Sequence, residues 1–181
     1  MKTRLIIIAV FLTLLSNVIS PFTHAADLTL SNTPAKICFS PKGGCTEAII
    51  KEINNAKSEI LVQAYSLTSA PIARALFHAH KRKIKVDVLL DKSQRKKHYR
   101  STTLMANAGI PIFIDDEHSI AHNKVMIIDK EIVITGSFNF TRAAEETHAE
   151  NLLIIRNRDL AKVYVENWDK HREHSEAYRR R

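Results

Sequence analysis

His122 and Lys124 are the residues whose types and spacing first suggest catalysis in this sequence. One residue separates them at the start of an apolar run, and in an extended strand that spacing places both side chains on one face, about 7 Å apart. The imidazole then lies beside a positive charge. Such a pair combines a nucleophile with a cation that can hold an anionic group.

Further polar residues follow at positions that can join this pair. Ser137 and Asn139 stand in a turn after the next apolar run, and both point to one face if the segment is extended. Glu150 comes just before the last apolar run. Phosphoryl transfer without a metal ion requires a nucleophile, a cation, neutral hydrogen-bond donors and a carboxylate that can orient an imidazole.

Together these residues resemble the HKD signature of the phospholipase D superfamily. The signature consists of H-x-K-x4-D, G-S-x-N and A-E-N, which here are His122, Lys124, Asp129, Gly136, Ser137, Asn139, Ala149, Glu150 and Asn151. The resemblance extends upstream to AYSLTS at 64–69 and LLDKS at 89–93, and it covers about residues 45–170. One motif on a short chain is most similar to the single-motif bacterial endonuclease branch.

The resemblance implies two-step hydrolysis of a phosphodiester with no cofactor and no metal ion. One histidine attacks phosphorus while a second protonates the leaving oxygen, and water then cleaves the phosphohistidine. Because the chain carries one motif, a homodimer would bring both copies of His122 to one active site. Lys124, Ser137 and Asn139 would hold the phosphate oxygens, and Glu150 would orient the imidazole of His122.

Other histidines offer a competing interpretation as metal ligands. A zinc site of the H-E-x-x-H type on His118 and His122 would need Glu in place of Ser119, so we discount it. The remaining histidine pairs lack neighbouring carboxylates or cysteines in the sequence. We therefore expect exposed helix residues at His78, His80, His171 and His174.

A basic run follows the predicted strand at 84–90. It contains Lys92, Arg95, Lys96, Lys97, His98 and Arg100. The end of a strand is where α/β proteins usually bind ligands, so the run can follow a nucleic-acid backbone with little sequence preference. A solvated charged face is the alternative. We assign substrate binding to Lys92, Arg95, Lys96, Lys97 and Tyr65.

The elements that must position these residues form an α/β pattern. Helices are predicted over 46–57, 71–81, 99–107 and 159–173, and strands over 59–66, 84–90, 110–114, 123–128, 131–135 and 151–155. Thr46 is the expected cap of the first helix. Asp129-Lys130 is short enough for a hairpin turn, and Asp129 has the opposite strand parity to His122, so we expect it to serve structure. The fold class is α/β, a mixed sheet with helices on both faces.

Residues 1–25 are predicted to be a secretory signal peptide, and residues 26–181 a single nuclease domain. A basic start precedes the apolar run 5–15, and small residues at 23–25 suit cleavage. A membrane anchor is the alternative, but polar residues interrupt the apolar run too early. We therefore expect a periplasmic or secreted protein whose mature form has no stable membrane association.

Composition bounds the partners and the class of enzyme. The chain has 181 residues and a net charge of +8, which falls to +6 without the signal peptide, so a polyanion is a possible partner. The four glycines fit neither G-x-G-x-x-G nor a G-x-x-x-x-G-K-[ST] loop, which excludes those nucleotide-binding folds. Cys38 and Cys45 form a candidate disulfide in an oxidising compartment, with two free thiols as the alternative.

Three functions compete at this stage. The first is a metal-independent, sequence-nonspecific endonuclease acting on DNA, with RNA as a second substrate. The second is a phospholipase D or cardiolipin-type lipid phosphodiesterase, which is weakened because the mature chain shows no amphipathic or long apolar segment for lipid docking. The third is a non-catalytic basic DNA-binding protein, and the complete set of motif residues argues against it.

Overall fold

The computed structural model describes residues 25–96 and 100–178. The predicted signal peptide up to residue 24, Lys97 and His98 of the basic run and the terminal arginines at 179–181 lie outside the described residues. Within the described part, no helix is both long and apolar enough to cross a membrane.

One mixed sheet of eight strands runs through the described residues. The strands are β1 (Ala35–Ser40), β2 (Glu59–Ala64), β3 (Lys85–Asp91), β4 (Ile112–Asp115), β5 (Lys124–Ile128), β6 (Ile132–Gly136), β7 (Glu150–Arg156) and β8 (Glu176–Ala177). Their order across the sheet is β1-β7-β6-β5-β2-β3-β4-β8. β3 pairs in parallel with β2 and β4, and every other pair is antiparallel.

Helices cover both faces of this sheet, as the fold class predicts. They are α1 (Cys45–Asn55), α2 (Ala70–Lys81), α3 (Ser93–Lys96), α4 (Arg100–Asn107), α5 (Arg142–Glu146) and α6 (Arg158–His174). Alternate residues of β2 illustrate the two cores: Val62 packs with α1, α2 and α4, whereas Leu61 packs with α6. Trp168 of α6 closes the second core and donates its indole N–H to the Val62 carbonyl at 3.1 Å.

The first strand and the start of α1 differ from the sequence prediction. Residues 35–40 form the edge strand β1, which pairs with β7 and was not among the predicted strands. Gly44, not Thr46, is the N-cap of α1. Glu145 supplies the cap from a distant part of the chain, because its carboxylate accepts hydrogen bonds from the backbone N–H groups of Gly44 and Thr46 at 2.9 and 2.7 Å.

Asp129 and Lys130 form the predicted hairpin turn between β5 and β6, with φ angles of 56° and 52°. The Asp129 carboxylate accepts hydrogen bonds from the backbone N–H groups of Lys57, Ser58 and Glu59, at distances down to 2.7 Å. Burial raises the pKa of this carboxyl, but the hydrogen bonds from Ser58 and Lys57 outweigh it and lower the pKa below its usual value. Asp129 thus fastens the hairpin to the start of β2.

Cys38 and Cys45 are free, buried thiols in this structure, and their pairing in an oxidising compartment stays a prediction. Their side chains lie within hydrogen-bond distance of each other, so the spacing does bring the two sulfurs together. Burial, together with the Cys38 contact, raises the pKa of Cys45 to about 12. A thiol with so high a pKa stays protonated and reacts slowly, because the thiolate is the reactive form.

Candidate active site

The predicted catalytic residues lie at the same end of neighbouring strands of the sheet. Lys124 is the first residue of β5, Gly136 is the last of β6 and Glu150 is the first of β7. Because β5 runs antiparallel to both β6 and β2, its start lies beside their ends, and Lys124 pairs with Ala64. The topology therefore gathers residues that are separated by more than eighty positions in the chain.

His122 lies just before β5 with its imidazole exposed to solvent. The ring packs against Tyr65, with 4.6 Å between the two ring centroids. The Tyr65 backbone N–H donates to the Asn123 carbonyl at 2.7 Å, which fixes the two segments side by side. The imidazole is thus held on one side and open on the other, as a nucleophile must be to meet a substrate.

Lys124 is buried beside the imidazole. Its Nζ donates to the His122 carbonyl at 2.7 Å and lies 5.2 Å from the centre of the Tyr65 ring. Burial lowers the pKa of Lys124, and the negative charge of Glu150 opposes that shift. A buried ammonium next to an open imidazole is well placed to hold a phosphate oxygen.

Gly136 allows the chain to turn into the site directly after β6. Its φ is 146°, and a Cβ at this position would lie 2.3 Å from the Asn151 carbonyl oxygen, so only glycine fits. The backbone N–H groups of Ser137 and Phe138 donate to that same oxygen at 3.1 and 3.2 Å. The Ser137 hydroxyl accepts from the Asn151 backbone N–H and side-chain amide, which leaves its own proton to donate to a ligand.

Asn139 is held between two fully buried aromatic residues, Phe138 and Phe140. The Phe140 carbonyl accepts hydrogen bonds from the backbone N–H groups of Thr68 and Ser69 at 3.0 and 2.9 Å, so the loop is tied to the segment after β2. Among the described residues, Asn139 Oδ1 is buried and has no hydrogen-bond partner. A buried amide with an unmet hydrogen bond is costly, and rotating it presents N–H donors to a ligand.

Among the described residues, Glu150 makes no hydrogen bond or ion pair with His122, so its orienting role stays a prediction. Its Oε1 lies 3.7 Å from Nδ1 of His148, a residue that the sequence analysis missed. The physical reason is the strand order: β6 lies between β7 and β5, and two strand spacings of roughly 4.8 Å separate Glu150 from Lys124 and its neighbours.

The basic run contributes less to the site than its charge suggests. Arg95 is not a free cation, because its guanidinium lies 3.1 Å from the Asp116 carboxylate and 3.0 Å from that of Glu176. Lys92 follows β3 directly and is half-buried. The side chain of Lys96 and all of Lys97 lie outside the described residues.

Asp91 is a positioning residue that sequence reasoning missed. It is the buried last residue of β3, and its carboxylate accepts hydrogen bonds from the backbone N–H groups of Ser93 and Ala121 at 2.8 Å each. Ala121 immediately precedes His122, so this bond holds the segment that carries the imidazole. The segment LLDKS contains this aspartate, but its partner is visible only in the fold.

A second group of side chains, the histidine cluster, lies at the end of β4. It consists of Asp115, His118, His171 and His174. His171 and His174 were expected to be exposed helix residues without a carboxylate, and this expectation is wrong, because both lie against Asp115. Burial raises the pKa of Asp115, but hydrogen bonds from His171 and His118 lower it well below its usual range.

Comparison with known proteins identifies the family of the chain. Residues 49–172 match the family model described as cardiolipin synthase, PLD-like domain. A phospholipase D from Rickettsia conorii is 45% identical over 139 residues, which cover 77% of this chain and 70% of that protein.

Two solved structures share the fold. Nuc, a phospholipase D family member from Salmonella typhimurium, is 36% identical with a TM-score of 0.77, and the match covers 82% of this chain and 99% of Nuc. NucT from Helicobacter pylori matches with a TM-score of 0.71 at 22% identity, covering 81% of this chain and 99% of NucT. The chain therefore belongs to the phospholipase D superfamily, in its Nuc-like single-domain branch, and is a phosphodiesterase of the hydrolase class.

Proposed function

We propose that this phosphodiesterase is an endonuclease that cleaves DNA without sequence preference and without a catalytic metal ion. The observation that carries the proposal is the exposed imidazole of His122 beside the buried ammonium of Lys124, at the edge where Ser137 and Asn139 offer neutral donors. These groups supply nucleophile, charge and donors from side chains alone. The resemblance to the single-motif endonuclease branch supports a nucleic-acid substrate.

The proposed reaction has two balanced steps. A nitrogen of His122 forms a bond to phosphorus, the bond from phosphorus to the leaving oxygen breaks, and a second histidine gives that oxygen its proton. The same second histidine then takes a proton from water as the water oxygen displaces the nitrogen. Lys124 and the donors of Ser137 and Asn139 stabilise the negative charge that develops on the phosphate oxygens.

The second histidine is proposed to be His122 of another copy of this chain. Two-fold pairing places the same surface patch of both copies together, so one exposed imidazole per chain yields two per site. The solution mass tests this directly. We expect a dimer whose activity per chain falls on dilution, and a monomer that keeps full activity at high dilution would contradict the shared site.

A basic chain supports nucleic acid as the substrate. The net charge of +8, or +6 after removal of the signal peptide, favours a polyanion held through its phosphates, with binding that weakens steeply as salt rises. Export to the periplasm or medium is part of the proposal and rests on the predicted signal peptide. RNA remains a second nucleic-acid substrate to assay.

A lipid phosphodiester is the second candidate substrate. The observation that favours it is the 45% identity to a rickettsial protein named phospholipase D. The same nucleophile and donors can attack phosphorus in either kind of phosphodiester, so the substrates must be compared experimentally.

The deciding assay incubates the purified mature protein with plasmid DNA in EDTA, and in parallel with phospholipid vesicles. We expect DNA cleavage that persists in EDTA and disappears in His122→Ala, while His78→Ala, at an exposed helix position, remains active. Circular dichroism in the same buffer detects unfolding. Loss of cleavage while the protein stays folded in EDTA would contradict the metal-independent mechanism. Cleavage of lipid alone would favour the second candidate, and DNA binding without cleavage would favour a non-catalytic protein.

A further inference from the structure

The histidine cluster brings together two parts of the chain that are far apart in sequence. Asp115 ends β4 and His118 lies three residues later in the segment that leads to His122. His171 and His174 occupy one face of the last turn of α6, because residues three apart on a helix are neighbours. Each of the four offers one donor atom, and these atoms all lie within 4.8 Å of one another.

The individual contacts centre on the Asp115 carboxylate, which is completely buried. Its Oδ2 lies 3.0 Å from Nδ1 of His118, 2.7 Å from Nδ1 of His171 and 3.5 Å from Nε2 of His174. Four ligands placed tetrahedrally at zinc-to-nitrogen distances stand roughly 3.4 Å apart. The three distances to Asp115 Oδ2 lie on either side of that value, and no two of the four ligand atoms are more than 4.8 Å apart, so side-chain movements of about 1 Å would enclose an ion.

One ring nitrogen in the cluster has an unmet hydrogen bond. Nε2 of His174 is buried and, among the described residues, has no hydrogen-bond partner. The other nitrogen of the same ring, Nδ1, lies 3.5 Å from the Glu117 carboxylate, which orients the imidazole from outside the cluster. A ligating histidine that is held through its second nitrogen by a carboxylate is the usual arrangement in metal sites.

The hydrogen bonds among these side chains do not account for the whole cluster. Three imidazole rings, with centroids 4.7 to 5.4 Å apart, gather around one buried carboxylate. Nε2 of His174 is buried there and, among the described residues, makes no hydrogen bond. A divalent cation would use all four groups, because imidazole nitrogens and a carboxylate oxygen donate electron pairs to it.

We propose that Asp115, His118, His171 and His174 form a structural site for one zinc ion. Imidazole nitrogen and carboxylate oxygen are both zinc ligands, and four is the number of ligands that zinc takes in structural sites. The ion does not take part in the proposed hydrolysis. It joins the segment that carries His122 to the end of α6, where β8 folds back and pairs with β4.

Ion pairs and a backbone hydrogen bond also join the segment after β4 to the end of the chain after α6. Arg95 pairs with Asp116 on one segment and with Glu176 on the other, and the Tyr178 N–H donates to the Ile112 carbonyl at 2.8 Å. Surface ion pairs of this kind contribute little by themselves. A zinc ion would therefore dominate the stability of the junction and hold the chain just before His122.

The test measures zinc binding and thermal unfolding of the mature protein, purified without a polyhistidine tag and stripped with a chelator. We expect one zinc per chain in competition with a chromophoric chelator, and a rise in Tm of roughly 10 °C at saturating zinc. Cobalt in place of zinc should give the intense visible absorption of a tetrahedral ion. The stripped protein should keep cleaving DNA below its Tm, so this inference and the proposed function fail independently.

His174→Gln and the matched control His78→Gln decide whether the cluster is the site. His174→Gln should lose stoichiometric binding and the rise in Tm, whereas His78→Gln should keep both. If His174→Gln fails to fold, the zinc and cobalt measurements on the wild-type protein still test the proposal. Wild-type protein that binds no zinc stoichiometrically, or His174→Gln protein that binds it as tightly as wild type, would overturn the proposal.

Discussion

The candidate active site and the histidine cluster lie at the same end of the strands, and both contain histidine side chains. The two sites differ in whether the imidazole faces solvent or a buried carboxylate. In the candidate active site, His122 is exposed, and Asn139 has a buried amide oxygen that makes no hydrogen bond among the described residues. The rings of His118, His171 and His174 turn inward onto one buried carboxylate. A histidine needs an exposed imidazole to attack a substrate. Histidines whose rings contact a buried carboxylate instead hold parts of the chain together.

The two groups lie on opposite halves of the sheet. The active-site residues lie at the ends of β5, β6 and β7, and Gly136 turns the chain from β6 into the site. The cluster lies at the end of β4, where the end of α6 supplies two of the histidines and the short strand β8 pairs with β4. Four variants test this contrast, from the largest expected effect to the smallest.

His122→Ala should abolish activity and leave the fold intact. Loss of the nucleophile should lower kcat/KM on DNA by about 10⁴-fold or more. Because the imidazole is exposed, Tm should change by no more than about 2 °C. Plasmid cleavage and thermal unfolding check both effects, and a variant that unfolds much earlier than wild type would place His122 among the structural histidines.

Lys124→Met should lower kcat/KM by about 10²- to 10³-fold, because it removes the buried charge that faces the phosphate oxygens. Stability should change by no more than about 1 kcal/mol, because loss of the hydrogen bond to the His122 carbonyl is offset by relief of the cost of burying the ammonium. Lys130→Met, on the exposed hairpin turn, is the matched control. Urea unfolding that shows a clear loss of stability in Lys124→Met would assign this lysine to structure.

Gly136→Ala should damage both the fold and the site, because the added Cβ would lie 2.3 Å from a backbone oxygen. We expect a loss of about 3 kcal/mol in the free energy of unfolding. Gly109→Ala is the control, since its φ is also positive but a Cβ there meets nothing within 4 Å. That variant should lose only about 1 kcal/mol and keep its activity. Equal losses in both variants would show that the contact with Asn151 is unimportant.

Asp129→Asn should have the smallest effect, about 1 kcal/mol of stability, because it weakens hydrogen bonds that are partly exposed. The pKa of Asp129 is lower in the folded protein than its usual value, so the carboxylate stabilises the fold fully above that usual value, near pH 4, and loses this effect as pH falls further. The stability gap between wild type and variant should therefore narrow below about pH 4. A gap that is constant from pH 7 to pH 2 would mean that the charge of Asp129 does not contribute.

The sequence predicts the candidate active site better than it predicts the histidine cluster, and the reason is locality. His122, Lys124 and the Asp129 turn lie within one hairpin, and Ser137 and Asn139 follow the next strand, so spacing and strand parity place them together. The helices and strands that were predicted lie within a few residues of their observed bounds for the same reason, whereas β1, β8, α3 and α5 were not predicted.

Long-range partners were not predictable in this way. Asp115 and His171 are 56 positions apart, and nothing in the pattern of α6 shows which strand end it covers. The pairing of Arg95 with Glu176 and the cap that Glu145 gives to α1 depend equally on how distant segments meet. β1 escaped prediction because an edge strand with one exposed face carries a weak apolar pattern.

Trapping the covalent intermediate tests the central claim most directly. Wild-type protein is mixed with an oligonucleotide in EDTA, quenched in alkaline denaturant, digested with a protease and analysed by mass spectrometry. The account predicts a nucleotide fragment joined through phosphate to the peptide that contains His122, and no adduct in His122→Ala. An adduct on another residue, or cleavage of the oligonucleotide with no adduct at any stage of the reaction, would contradict it.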